Sequence, residues 1–223
     1  MAPHDASAIT KFLAQHPSII HFGMCICLPN IDDPFDPEQT FLPNLRHYEG
    51  PRLLLRNLAT RTLRAARLGP DIGLAASDVQ ALKALINPAL PFVLSVKWTV
   101  AFDDAIQTVL SLLSTEMRHI PHLELQTYKA SEFSMENLDH ITARLPAFTH
   151  IAYFAFTSSK YQLESLVDNP GFEPTFRAWA AASPTLKGCC IGTMAWKKVG
   201  EKWEQCTKEQ FDILAGFSTF YLT

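Results

Sequence analysis

Two cysteine pairs, Cys25-x-Cys27 and Cys189-Cys190, carry the soft ligands from which a structural zinc site is built. His119-x-x-His122, with Glu116 and Glu124 close by, adds a second group of ligand or proton-transfer types. Three further histidines, His21, His47 and His150, recur at equivalent places in the pattern described below. Asp103-Asp104 is an adjacent carboxylate pair, but it stands before an apolar helical stripe. There it serves as a cap and as favourable charge at a helix N-terminus. Nucleophile and phosphate motifs are missing: Ala215-Gly-Phe-Ser218 lacks the second glycine of a nucleophile elbow, and the nine glycines form no G-x-G-x-x-G or G-x-x-x-x-G-K.

Which of these groups can meet depends on the elements that carry them. Six prolines, Pro17, Pro43, Pro91, Pro121, Pro146 and Pro184, are each followed two residues later by a large apolar residue and then by a strand-like segment. A seventh copy has Arg61 in place of proline. The intervals are 26, 18, 30, 30, 25 and 38 residues, the range of a supersecondary unit stacked on itself. Between them lie helical stripes such as Ile106, Val109, Leu110 and Leu113, and Phe172, Phe176, Trp179 and Ala180. Ser77 with Gln80 and Thr207 with Gln210 have capping-box spacing, and Pro51 fits a first helical position. Shorter helices are expected at 9–15, 135–145 and 161–167.

The unit is therefore helix, proline corner, strand. Proline ends the helix and turns the preceding residue to an extended backbone. The expected fold is α/β: one repeat domain over 1–223, an irregular solenoid of about seven units. Parallel strands line its inner face and helices its outer one. Residues 190–223, read as a hairpin with its loop at Lys197–Lys202 followed by a helix from Thr207, should cap the last unit. Asn30 to Glu38 reads as a loop.

Apolar residues favour the second, fifth and seventh positions after each proline, as in Ile19, Phe22 and Met24, or Phe148, Ile151 and Tyr153. Strand alternation then turns the fourth and sixth outward. The expected binding face comprises His21, His47, Glu49, Arg67, Ser95, Lys97, Thr127 and His150. The copy at Pro121 fits poorly, and a one-residue shift there presents Glu124 and Gln126 instead. The repeat also separates the cysteine pairs by six strands, roughly 29 Å at about 4.8 Å per strand, so neither a metal nor a cofactor is expected. Trp98, Trp179, Trp196 and Trp203 fall on core or cap positions. Trp203, at a hairpin edge beside Lys197, Lys198, Lys202 and Lys208, is the candidate partner anchor.

Composition narrows the function classes. With 48% hydrophobic residues and 18% charged ones in 223, the chain has too much apolar material for disorder. A net charge of −3 without a Lys/Arg cluster speaks against nucleic acid. No apolar run reaches the length of a membrane span, the start lacks signal-peptide character, and five cysteines without framework spacing suit a reducing compartment. Cytoplasm or nucleus is expected.

Leu42-Pro-Asn-Leu45-Arg-His-Tyr48-Glu-Gly-Pro and Leu145-Pro-Ala-Phe148-Thr-His-Ile151 resemble the degenerate leucine-rich repeats of mushroom-type fungal F-box proteins. So do Trp196-Lys-Lys-Val-Gly-Glu-Lys-Trp203-Glu and Phe211-Asp-Ile-Leu-Ala-Gly-Phe217. The resemblance runs from about Leu13 onward. It implies a substrate-selecting repeat region, joined in such proteins to an F-box that docks on a ubiquitin-ligase core. No F-box-like segment is seen before Ile9, and the repeat's usual Asn or Cys ladder is not kept. The expected function is a non-catalytic module binding a protein or peptide. The alternatives are a small α/β enzyme using Cys or His, and a truncated paralogue without a partner.

Overall fold

The computed structural model describes residues 6–24, 36, 38–69, 74–98, 105–127, 133–158 and 172–220. Nine strands form one open sheet in strictly sequential order. They are β1 (His21–Gly23), β2 (His47–Gly50), β3 (Ala65–Leu68), β4 (Val93–Trp98), β5 (His122–Thr127), β6 (Tyr153–Ser158), β7 (Gly188–Ile191), β8 (Met194–Val199) and β9 (Lys202–Cys206). β1 to β7 pair in parallel, and β8 and β9 add antiparallel. The helices are α1 (Ala6–Gln15), α2 (Ala76–Leu85), α3 (Ala105–Glu116), α4 (Met135–Arg144), α5 (Phe172–Ala182) and α6 (Lys208–Ala215), with a 3-10 helix at Arg52–Asn57.

Helix starts follow local chemistry. Ser134 caps α4 by accepting from the Asn137 amide, and Thr207 and Gln210 form the expected reciprocal box on α6. The expected Ser77 cap is displaced. Asp78 accepts from the Ala75 amide at 2.9 Å and from Arg52 at 2.8 Å, so α2 begins two residues before its expected start. A buried carboxylate outcompetes a hydroxyl as cap.

One sheet face meets α1 to α5. Tyr48, Leu94, Leu123, Phe154 and Cys189 pack there with Leu13, Leu54, Val79, Leu82, Leu110, Leu113, Leu138, Ile141, Phe176 and Trp179 in one continuous core. Trp179 adds an indole hydrogen bond to Thr142 at 2.9 Å across two helices.

The register corrects the proline rule. His21, His47, Ala65, Val93, His122, Tyr153 and Gly188 form one row across the parallel strands. That row lies four residues after Pro17, Pro43, Arg61 and Pro184, but two after Pro91, one after Pro121 and seven after Pro146. Even offsets keep the expected facing and odd ones reverse it. The shift at Pro121 therefore brings Glu124 and Gln126 onto the face that carries His21 and His47 and turns Thr127 into the core on the other side. At Pro146 the residues Leu145–Ala147 form a 3-10 turn, which delays β6 until Tyr153 and leaves His150 in the corner before it.

The cap also differs from expectation. Gly192 (φ 62°) turns β7 into β8, and β8 runs through Lys197 and Lys198, where the expected loop begins, to a second turn at Gly200 (φ 60°). α6 does not close the last unit. It folds back onto the other sheet face, where Phe211, Ala215 and Phe217 pack on Ala155, Cys190 and Ala195 as a separate small core. Cys25, Cys27, Asp103, Asp104, the expected helix at 161–167 and most of the expected Asn30 to Glu38 loop lie outside the described residues, as does the side chain of Trp98.

Candidate functional site

The face opposite α1 to α5 carries three rows of side chains. The first is His21, His47, Ala65, Val93, His122, Tyr153 and Gly188. Above it run Gly23, Glu49, Arg67, Ser95, Glu124, Ala155 and Cys190, and above those Lys97, Gln126 and Thr157. Six of the expected binding residues, His21, His47, Glu49, Arg67, Ser95 and Lys97, therefore share this face.

The middle row is a charge ladder. Arg67 lies 3.6 Å from Glu49 on β2 and 3.6 Å from Glu124 on β5. Ser95, between them, donates its hydroxyl to Glu124 Oε2 at 2.6 Å, and Thr157 donates to Oε1 at 3.3 Å. Glu124 and Ser95 are 0% exposed and Arg67 5%. A carboxylate this deep is tolerable only because an arginine and two hydroxyls replace its water.

α6 supplies the cover. Its Lys208 holds Asp212 through both carboxylate oxygens, at 2.7 and 2.6 Å. Burial raises the Asp212 carboxyl first; Lys208 opposes this, Glu124 adds to it and Arg67 opposes it, so helix and ladder share one field. Where α6 ends, His122 donates Nδ1–H to the Ala215 carbonyl at 2.6 Å. Burial lowers the His122 pKa more than this bond raises it, and Lys187 lowers it further. Gly216 (φ 75°) then turns the chain in a left-handed cap that glycine adopts freely.

The face is thus closed over β4 to β7 and open over β1 and β2. At the open end His47 Nδ1 and His21 Nε2 are 3.1 Å apart, their rings 4.1 Å centroid to centroid. His21 and Gly23 are exposed, and His47 and Glu49 are half-buried. Arg67 and Ser95, expected on an open surface, are instead buried.

The other groups disperse. His150 pairs with His119, Nδ1 to Nδ1 at 3.0 Å, with the Thr149 hydroxyl 2.9 and 2.8 Å from the two rings. His122 faces α6, so His119 and His122 do not converge on one ion. Glu116 accepts from Lys83 and Gln80, which holds its pKa down, the Lys83 bond first. Burial pushes the Cys189 thiol well above its ordinary value and Cys190 up to about 12, the opposite of a reactive cysteine. Among the described residues no three His, Cys, Asp or Glu side chains are placed to hold a metal ion.

Trp203 on β9 is half-buried, edge-on to Phe176 at 5.2 Å, while Trp196 stacks flat on the same ring at 4.6 Å. Together with Glu173, Arg177, Ala180 and Gln205 these rings line a 420 Å³ cleft at the β9 edge.

By sequence, His122 and Glu124 group with His119 and Glu116 as ligand types, and Thr157 is not singled out. The alternative register at Pro121 named Glu124, but nothing local announces that α6 turns back over it. Among protein-family models, curated proteins and solved structures, none matches the chain.

Proposed function

We propose that this protein is a non-catalytic scaffold that captures a protein or peptide segment on the open β1–β2 end of its strand face. One observation carries the reading: the far end of that same face already holds a polypeptide segment, the chain's own α6, while the near end presents His21, Gly23, His47 and Glu49 to solvent. A surface built to pack Phe211 and Ala215 and to cap a helix through His122 has the shape and polarity to hold a chain segment. Selectivity comes from polar side chains one strand apart on a rigid sheet, with Trp203 as a separate anchor at the β9 edge.

Sequential parallel strands with helical crossovers support classing the sheet as an irregular leucine-rich-repeat-like solenoid. On that reading, and on the resemblance of its proline-led segments to the repeats of fungal F-box proteins, the chain is the substrate-recognition part of a ubiquitin-ligase adaptor. It works in the cytoplasm or nucleus and engages the ligase core only through an F-box segment. No described helix is long and apolar enough to cross a membrane.

Gly23→Trp tests this reading. A Cβ at Gly23 meets nothing within 4 Å, so the indole covers the open face without disturbing the sheet. Partner capture from lysate, compared between wild type and Gly23→Trp with unchanged circular dichroism, should be lost. Capture of the same partners in equal yield overturns the proposal.

A further inference from the structure

Arg46 and Arg64 stand immediately before β2 and β3. The Arg46 amide donates to Ile20 at 2.8 Å and the Arg64 amide to Arg46 at 2.7 Å, so the two arginines are lateral neighbours, about 4.8 Å apart along the ladder. Like charges in that relation repel. Both side chains are exposed, and among the described residues neither guanidinium has a side-chain partner. The residues that follow Ile20 and Arg46 are His21 and His47, whose ring nitrogens meet at 3.1 Å. Glu49, one row up on the same strand as His47, faces Arg67 at 3.6 Å.

We propose that this corner, Arg46, Arg64, His47 and His21, is a binding site for the oxyanion of a phosphate monoester. Two guanidinium forks offer more donors than one carboxylate accepts, and a tetrahedral dianion with three terminal oxygens can take both forks and an imidazole N–H together. With His47 Nδ1 engaged by His21 Nε2, Nε2 is the His47 nitrogen left for a ligand, and it donates when Nδ1 accepts from His21 or when the ring is protonated. The electrostatics agree. The His47 pKa is lowered by burial first and then by His21, Arg46 and Arg64, and the two arginines are fixed cations. A bound dianion offsets that repulsion. The phosphate can be free or esterified to a side chain of a captured segment; the site chemistry is the same, and it stands whether or not the partner reading above does.

The test is a titration of the whole chain with inorganic phosphate and, separately, with phosphoserine, at constant ionic strength, followed through the imidazole Cε1–H resonances. The expected result is a saturable shift of His47 and His21, with a higher His47 pKa in the presence of either ligand. Arg46→Gln/Arg64→Gln, two exposed positions, should weaken binding by about tenfold or more while leaving the amide spectrum of the core in place. The site is overturned by absence of a saturable shift, by equal response of His16, His119 and His150, or by an unchanged affinity in the double variant. Tighter binding of phosphoserine than of phosphate assigns the source to a captured segment, and equal binding to a small ester. Phosphate binding that survives in Gly23→Trp, in a protein whose partner capture is unaffected, rejects the recognition reading and keeps this site.

Discussion

His122 on β5 holds the last carbonyl of α6, that of Ala215, at 2.6 Å, across 93 residues of sequence. Through this bond the sheet terminates a helix that lies on the face opposite α1 to α5. The face it closes holds the buried Glu124, and the ladder runs from there through the buried Arg67 to half-buried Glu49 at the open end.

Burial of His122 beneath this contact sets a pH dependence, which the hydrogen bond itself only partly offsets. The folded pKa of His122 lies below its ordinary 6.5, so the folded state binds its proton less readily than the unfolded chain. The stability involved is complete above 6.5 and is lost as pH falls from there through the lowered folded value. Asp212, raised above 3.8, acts with the opposite sign at lower pH. His47 is lowered as well, so the effect is isolated by difference. As pH falls from 7.5 to 5.5, the hydrogen-exchange protection factors at Phe211 to Ala215 should drop in wild type. In His122→Ala they should be low throughout, with the helix contact weakened by about 1 kcal/mol.

The ladder predicts an ordered pair of losses. Glu124→Leu removes the acceptor of Ser95 and Thr157 and takes a buried carboxylate from beside the buried Arg67, at a cost of about 3 kcal/mol. Glu124→Gln keeps an oxygen for Ser95 and should cost less. Urea midpoints of the two variants measure the difference; equal losses would mean that charge alone matters there.

Both β7 thiols should be silent. In a Cys25→Ser/Cys27→Ser background at pH 8, Cys189 and Cys190 should react with a disulfide reagent only at the rate of unfolding, because burial holds both protonated. Cys206, half-buried and raised less far, should react first.

At the β9 edge the two tryptophans should separate stability from binding. Trp196 is 6% exposed and stacked flat on Phe176, so Trp196→Ala costs about 3 kcal/mol by thermal melting. Trp203 meets the same ring only edge-on, and Trp203→Ala costs about 1 kcal/mol. Partner capture that falls in Trp203→Ala beyond this small loss identifies the anchor.

Much of the architecture was legible locally. Thr207 and Gln210 cap α6 as their spacing requires, the stripe of Ile106, Val109, Leu110 and Leu113 lies buried, and each proline precedes its strand. Such features depend on residues within a few positions of one another, where backbone restriction and side-chain period act directly. Six of the eight expected face residues lie on the face for the same reason: alternation is a local property once the strand start is known.

The misplacements came where distance along the chain stopped helping. Thr127 and His150 were misread because an odd offset at Pro121 and Pro146 reverses facing, and a strand's start is set by hydrogen bonds to its neighbour rather than by its own proline. Whether the face is open was decided only by tertiary structure. α6 has one apolar stripe and could bury it against the end of the stack or against the sheet. It lies on the sheet because Phe211, Ala215 and Phe217 find Ala155, Cys190 and Ala195 there, and because His122 waits for its final carbonyl. The sequence alone determines which residues belong to helix, corner and strand, since these follow from periodicity and backbone chemistry. Which of them remain reachable depends on packing between segments far apart in the chain, and only the folded sheet decides that.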